Sequence, residues 1–175
     1  MTYTLKVTGI PKGQPRAKSR VFKNKSGKMI SSVYNPSTAN GWKALIQQQI
    51  ALNQPKELLK GPLQIVCHIY MPRPKSHYRT GSKSHLLKDN APFWYDKTPD
   101  NDNLEKAIYD AISDTCAVWK DDKQIAMNLT DVCYSETPGA TIEITQLTVP
   151  IQTILNKTNE QLLEGEKELE THENT

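Results

Sequence analysis

The sequence has few cysteines and no long apolar segment, and these absences exclude several classes of protein. Its three cysteines, Cys67, Cys116 and Cys133, are odd in number and widely spaced, so they match neither a zinc-ligand pattern nor a disulfide framework. No apolar run approaches the length of a membrane span, and the first ten residues lack the regions of a secretory signal. We therefore expect a cytoplasmic protein with reduced thiols.

Acidic residues are missing from two long polar segments. Residues 11–28 contain seven Lys or Arg and no acid, which predicts a basic loop or a loose hairpin. Residues 71–99 contain five Lys or Arg before their first acid, Asp89. Residues 151–175 instead have two lysines and six glutamates, so a net charge of −4 there leaves +7 for the rest of the +3 chain. A basic body favours a polyanionic partner, although ordinary solubility would explain the same charge.

Hydrophobic patterns predict four strands and two helices. Residues 3–7, 63–70, 125–134 and 140–149 have the alternation or the β-forming composition of strands. The resulting order, β-loop-α-β-loop-α-β-β, is that of an α/β (α+β) fold, a small single domain with a mixed sheet over residues 1–150. Residues 151–175 are expected to form an acidic tail, either helical or disordered, which would be free to bind a protein partner or to shield the basic surface.

Each predicted helix has one apolar side. In the first, Trp42, Ile46 and Ile50 recur at helical spacing, and Ser37 or Thr38 is expected to cap the helix. In the second, which is expected to begin near Asp102, one side is apolar and should face the core; it consists of Leu104, Ile108, Ala111 and Ile112. Asn103, Lys106 and Asp110 form a polar stripe on a different side.

The segment KTPDNDNLEKAIYDAI, residues 97–112, places two carboxylates directly before the second helix. Asp100 and Asp102 should repel each other there, although the helix macrodipole favours anions at this end. The later segment VWKDDKQI supplies Asp121 and Asp122 before a strand, and one of them joins the pair if that strand lies beside the helix start. Hard oxygen ligands of this kind suit Mg²⁺ or Mn²⁺, which would activate water and withdraw charge from a phosphoryl oxygen.

Structural interpretations of the same residues are also open. Asp102 and Glu105 have the spacing of a helix capping box. Asp102 and Lys106 have the spacing of an i,i+4 ion pair worth a few tenths of a kcal/mol, and Asp110 would then be a solvated residue. The presence of all these residues together, between basic segments, favours the metal site.

Both segments resemble the signature of the RusA family of Holliday-junction resolvases. That signature combines P-D-x-D-N-L-x-K-x-x-x-D-A at a helix start with W-x-D-D-x-Q-I before a strand. The segments GIPKGQPRAKSR and MPRPKSH are also similar to family members, so the resemblance covers about residues 3–149. It implies a magnesium-dependent endodeoxyribonuclease that acts as a homodimer on four-way DNA junctions.

The resemblance also implies roles for individual residues. Asp100, Asp102 and Asp122 match the catalytic, metal-binding carboxylates, and Lys106 matches an essential lysine. Three further positions match supporting residues, namely Asn103, Asp110 and Asp121, of which Asp121 is the less expected ligand. Asn101 stands where family members commonly have an apolar residue, and the tail beyond residue 150 has no counterpart in the family.

The basic segments are the candidate DNA-binding surfaces, because lysine and arginine contact phosphates independently of sequence. The candidate residues are Lys12, Arg16, Lys18, Arg20, Arg73, Lys75, Arg79, Lys83 and Lys88. Phe93, Trp94 and Tyr95 would either stack on DNA or serve as core or dimer contacts, whereas Trp42 and Trp119 are expected in the core. Two rival functions remain open: a nuclease with other or little structural selectivity, and a branched-DNA-binding protein that does not cut.

Overall fold

The computed structural model describes residues 1–34 and 36–148. It contains six strands and two α-helices, and the elements follow one another as β1 Thr2–Thr8, β2 Lys18–Lys23, β3 Met29–Tyr34, α1 Asn40–Leu52, β4 Leu63–Pro72, α2 Asn101–Thr115, β5 Ile125–Ser135 and β6 Gly139–Gln146. The predicted α+β class is confirmed, and every predicted strand and helix is present. The predicted tail, residues 151–175, lies outside the described residues.

Four of the strands form one mixed sheet in the order β1-β6-β4-β5. β4 pairs with β5 in parallel, and the other two pairings are antiparallel. Parallel neighbours need a long crossover, which α2 provides between β4 and β5. β5 is therefore an edge strand, and it follows α2 in the chain. The direction in which it runs back along α2 determines how far Asp121 and Asp122 lie from Asp100 and Asp102.

The core lies between the two helices and one face of the sheet. In β1 the odd-numbered residues Tyr3, Leu5 and Val7 are buried, as their alternation predicts, and β4 buries one face along its whole length. α2 buries the predicted apolar side together with Ala107. Full burial of a Leu or Ile side chain is worth about 1.5–3 kcal/mol, so this side, rather than any exposed ion pair, fixes the helix on the sheet.

The start of α1 differs from the prediction. Trp42, Ile46 and Ile50 are buried as expected, but the residue before the helix is Ala39, and neither Ser37 nor Thr38 caps it. The backbone N–H of Asn40 donates to the carbonyl of Ser37 at 3.1 Å, so a backbone turn takes the place of the predicted side-chain cap.

The first basic segment continues into a β-hairpin. β2 and β3 pair antiparallel as a separate two-stranded sheet. Their turn is closed by Asn24, whose side-chain oxygen accepts hydrogen bonds from the backbone N–H groups of Ser26 and Lys28 at 3.0 and 2.9 Å. The prediction had left loop and hairpin open, and the hairpin adds two strands to the predicted order.

The second basic segment is a folded loop. Two single turns of 3-10 helix interrupt it, and the backbone N–H of Arg79 donates to the carbonyl of Leu86 at 2.8 Å. Its last part, residues 93–95, pairs with the outer edge of β5. No helix in residues 1–34 or 36–148 is long and apolar enough to cross a membrane.

Candidate metal centre

Two exposed carboxylates stand at the beginning of α2. Asp100 is the residue before the helix and has an extended backbone, while Asp102 lies in the first turn. Within the described residues the Asp100 side chain makes no capping hydrogen bond. The alternative capping box of Asp102 and Glu105 is therefore wrong, because the helix begins at Asn101 and its preceding residue is Asp100. The carboxylate of Asp100 is not used to cap the helix.

The first turn of α2 is fixed against the middle of β5. The side-chain amide of Asn101 lies 3.4 Å from the carbonyl of Thr130, and the amide of Asn128 lies 3.3 Å from the Glu105 carboxylate. Asn101, at the position where family members commonly have an apolar residue, thus has a polar neighbour. These contacts hold the helix start, and with it the two aspartates, beside the strand.

A backbone segment from the N-terminal part of the chain crosses the same turn. The N–H of Gln14 donates to the carbonyl of Asn103 at 2.7 Å. A Cβ atom built on Gly13 would lie 2.6 Å from the Cβ of Pro99 and 3.1 Å from the Cβ of Asn103. Position 13 therefore requires glycine for this close approach, and residues 13–14 lie directly against the helix that carries Asp102.

The polar stripe on α2 contains one ion pair. The amino group of Lys106 lies 3.3 Å from a carboxylate oxygen of Asp110, which is the more buried partner. The alternative ion pair of Lys106 with Asp102 is not the one observed. Lys106 thus remains exposed, with its amino group held one turn away from Asp102.

The second acidic segment forms a compact turn ahead of β5. Asp121 accepts a hydrogen bond from the backbone N–H of Lys123 at 3.0 Å, and Gln124 reaches back to the N–H of Asp121, which completes a capping box. The backbone hydrogen bond from Lys123 has the larger effect on Asp121 and lowers the pKa of its carboxyl group. The Lys123 side chain, which also contacts this carboxylate, lowers it further. Asp121 therefore has a local structural partner, whereas Asp122 is exposed.

Asp122 does not lie beside Asp100 and Asp102 in this chain. β5 returns along α2, so the helix start meets Asn128 and Thr130 in the middle of the strand, whereas Asp122 precedes its first residue, Ile125. The five residue steps from Ile125 to Thr130 alone span about 17 Å. Among residues 1–34 and 36–148, no three His, Cys, Asp or Glu side chains are grouped closely enough to hold a metal ion. The condition for a third carboxylate to join the pair, a strand start beside the helix start, is therefore not met within one chain, and the metal-binding role of Asp122 stays a prediction.

The remaining pair still suits a magnesium ion. Mg²⁺ keeps several waters and is commonly bound by one or two carboxylates together with substrate phosphates. Asp100 and Asp102 supply two exposed carboxylates of the hard-oxygen type at a helix N-terminus. The donor chemistry therefore fits an open metal site that substrate, or a further carboxylate, would complete.

The predicted phosphate-binding residues fall into two groups. Arg73 donates to the carbonyls of Pro92 and Tyr134 at 2.8 and 3.1 Å, and Arg79 pairs with Asp89 at 2.6 Å. These two arginines hold the second basic segment in its fold. The other predicted residues are exposed: Lys12, Arg16, Lys18, Arg20, Lys75, Lys83 and Lys88.

The aromatic residues before α2 also fall into an exposed group and a partly buried one. Phe93 and Trp94 have 59% and 62% of their surface exposed and pack edge to face. Tyr95 is partly buried against the core, and its hydroxyl donates to the carbonyl of Thr98. Trp42 and Trp119 are buried as predicted. Phe93 and Trp94 are thus available as contacts for a partner molecule.

Several residues near the site escaped the sequence analysis. Glu105 adds a partly buried carboxylate one turn after Asp102, and Asn128 binds it from β5. His68 and Asp131 pair at 2.6 Å across β4 and β5. These contacts join residues that are far apart in the sequence, so no local pattern could predict them. Gly13 could have been selected, because it stands in the segment GIPKGQPRAKSR that resembles family members.

The described residues thus form an α+β domain with two exposed carboxylates at a helix start and a basic hairpin that follows a segment in contact with the same helix. The model of the RusA endodeoxyribonuclease family matches residues 10–145 of this chain. The chain therefore belongs to the RusA family, which is a family of DNA-cutting enzymes. It is also similar to the uncharacterized protein YqaN of Bacillus subtilis strain 168, with 25% identity over 138 residues, 79% of this chain and 90% of YqaN.

Proposed function

We propose that this protein is a magnesium-dependent endodeoxyribonuclease that resolves four-way DNA junctions in the cytoplasm during recombination and repair. The observation that carries the proposal is the pair Asp100 and Asp102, two exposed carboxylates at the start of α2, in a chain of the RusA family. The Asp100 side chain does not cap the helix, and a divalent cation would use both carboxylates as hard oxygen ligands.

Each residue of the proposed site has a distinct task. Asp100 and Asp102 would hold Mg²⁺, with Mn²⁺ as a substitute. The bound ion would lower the pKa of a water and stabilise charge on the phosphoryl oxygens. Lys106 would contact the scissile phosphate and neutralise charge that develops in the transition state. The expected products are 5′-phosphate and 3′-hydroxyl ends.

The third carboxylate would come from a second copy of the chain. Asp122 is exposed but lies away from Asp100 and Asp102 in its own chain. In a two-fold symmetric homodimer, the same surface of each copy faces the other, so Asp122 of each subunit would complete the site of its partner. Two sites related by this symmetry also match a substrate in which two strands must be cut.

DNA would be held through its phosphates. The exposed cations of the two basic segments supply contacts that depend on salt and little on sequence. Phe93 and Trp94 lie just before the site and would stack on bases that the junction leaves accessible. Arg73 and Arg79 would contribute indirectly, because they hold the loop that carries Lys75, Lys83 and Lys88.

The test compares a labelled four-way junction with a linear duplex of the same sequence, with Mg²⁺ or with EDTA. We expect paired, symmetric cuts in the junction that require Mg²⁺ and that Asp102→Asn abolishes. Equal cutting of linear duplex would instead identify a general nuclease, and preference for flaps a different structural selectivity. Tight junction binding without any cutting under Mg²⁺ or Mn²⁺ would overturn catalysis and leave a branched-DNA-binding protein.

A further inference from the structure

The β2–β3 hairpin exposes both of its faces. Every residue of both strands, Lys18–Lys23 and Met29–Tyr34, is exposed. An isolated two-stranded hairpin is at best marginally stable in water, so a hairpin of this kind gains most from a partner that covers it. Its composition indicates the chemistry of that partner.

The strand register sorts the side chains onto two faces. One face carries Lys18 and Arg20 with Phe22, and the Arg20 guanidinium lies 5.5 Å from the centre of the Phe22 ring. The other face carries Val21 and Val33, which are 61% and 69% exposed, together with Lys23. Between residues 18 and 34 the sequence has five Lys or Arg and no acid. This charge complements a polyanion, and the exposed apolar side chains among the cations on both faces exclude a purely electrostatic surface.

The hairpin is tied to the candidate metal centre. Gln14 donates to the carbonyl of Asn103, and Gly13 fits against Pro99 and Asn103 where a Cβ would collide. Lys18 follows Gln14 by only four residue steps, which span at most about 14 Å. The hairpin itself is about 20 Å long. A duplex whose phosphate reaches Asp102 therefore passes within reach of the hairpin.

The dimensions select the mode of binding. A two-stranded β-ribbon fits the major groove of B-DNA, which is about 12 Å wide. We propose that the β2–β3 hairpin is a groove-binding arm for duplex DNA, and that the contact of Gly13 and Gln14 with α2 fixes the arm relative to Asp100 and Asp102. Lys18 and Arg20 contact the phosphates along the groove, while Val21 and Val33 face its floor. The inference rests on the proposed function and gives that site its means of placing a duplex.

The first experiment measures DNA binding without metal, so it does not depend on cleavage. The double variant Lys18→Gln/Arg20→Gln is compared with Lys6→Gln/Lys56→Gln, which removes two exposed lysines outside the hairpin. Fluorescence anisotropy in EDTA follows the affinity for duplex DNA across a NaCl series. Since each phosphate contact contributes about 0.9 to the slope of log K against log[salt], we expect the hairpin variant to lose nearly two and the control nothing.

The outcome also separates the arm from other partners of the same surface. An unchanged slope in the hairpin variant would overturn the arm. So would dissociation of a dimer by Val21→Ser/Val33→Ser in sedimentation velocity without loss of DNA affinity, because the hairpin would then bind a second copy. Circular dichroism confirms that the variants are folded. Absence of cutting by the wild type, with the slopes as expected, would remove the proposed nuclease and leave the arm.

The second experiment tests the tie to the site. Gly13→Ala keeps every cation but displaces residues 13–14 from Pro99 and Asn103. Gly41→Ala, in the first turn of α1 where a Cβ meets open space, is the control for substitution of glycine. We expect Gly13→Ala to bind duplex DNA within twofold of the wild type while its junction cuts spread over neighbouring phosphates. New proteolysis at residues 11–17 would show that residues 13–14 have left α2 in this variant. If its cut positions were then unchanged, the contact of residues 13–14 with α2 would not position DNA.

Discussion

Lys106 and Asp110 form an ion pair with a separation of 3.3 Å, one turn apart on α2. Because the pair is exposed on its lysine side, its contribution to stability is no more than about 0.5 kcal/mol. Its consequence is positional, because the Asp110 carboxylate fixes the direction of the Lys106 side chain on the surface of the helix.

We expect Asp110→Asn to lower the rate of junction cutting several-fold with unchanged junction affinity and melting temperature, because Lys106 loses the partner that orients it. Single-turnover kinetics and anisotropy measure the two quantities. Asp114→Asn is the matched control, since Asp114 lies on the same helix and pairs with Lys43 at 2.9 Å. Asp110→Glu should restore most of the rate; a loss equal to that of Asp110→Asn would contradict the orienting role.

Divalent metal should stabilise the folded protein through Asp100 and Asp102. A ligand at a hundred times its dissociation constant adds about 2.7 kcal/mol, so Mn²⁺ should raise the melting temperature of the wild type by several degrees. Asp100→Asn or Asp102→Asn should remove this shift. Asp96→Asn, which changes an exposed acid paired with Lys97, should keep it. Equal shifts in all variants would place the metal elsewhere.

A mixture of two inactive variants should recover activity, because one of the two sites in their heterodimer has no substitution. If Asp122 completes the site of the other subunit, a heterodimer of Asp102→Asn and Asp122→Asn chains has one site with both substitutions and one with neither. We expect each variant alone to be inactive and the refolded mixture to nick one strand of the junction. Inactivity of the mixture, with heterodimers verified by native mass spectrometry, would exclude the shared site.

The three thiols should differ in reactivity. Cys116 is exposed, whereas Cys67 and Cys133 are buried, and burial raises the pKa of Cys67 to about 12. Since the thiolate is the reactive form, iodoacetamide at pH 9 should label the exposed Cys116 and leave Cys67 unlabelled. Peptide mass spectrometry reports each site, and denaturant should equalise the rates. Fast labelling of Cys67 at pH 9 in the native protein would show that β4 opens readily.

Gln124 should matter for stability more than for chemistry. Its side-chain amide donates to the carbonyls of Leu59 and Gly61, both at 3.1 Å, while its oxygen accepts from the backbone of Lys120 at 2.9 Å. Gln124→Ala leaves these backbone groups unpaired and should cost about 2 kcal/mol of unfolding free energy, measured in urea. Cutting per folded molecule should persist, and Lys123→Ala on the same turn should cost far less.

The sequence was sufficient wherever a local pattern determines the structure. Tyr3, Leu5 and Val7 alternate and are buried, and the apolar side of α2 is the one predicted, because burial of these side chains exceeds any competing local preference. The position of Asp100 and Asp102 at the start of α2 was also predicted, since both residues are local to that helix start; their role as metal ligands stays a prediction.

Long-range contacts could not be predicted in this way. Whether Asp122 meets Asp102 depends on the direction in which β5 returns along α2, and nothing local to either residue determines it. Arg73 was predicted to bind phosphate because its charge is visible in the sequence, whereas its carbonyl partners at Pro92 and Tyr134 are not. Gly13 reveals its role only when Pro99 is placed beside it.

The capping turn at Asp121 shows that some residues of the family signature have a structural task rather than a proposed chemical one. Trp119, Asp121 and Gln124 identify the chain as readily as Asp100 and Asp102 do, yet the first is buried and the other two bind backbone groups. These three residues of the second motif thus specify a scaffold, and Asp122 is the one residue of that motif with a proposed role in the chemistry. A relative that keeps W-x-D-D-x-Q-I but lacks the earlier aspartates would inherit this architecture without its reaction, so recognition of the second half alone should not be used to assign an enzyme.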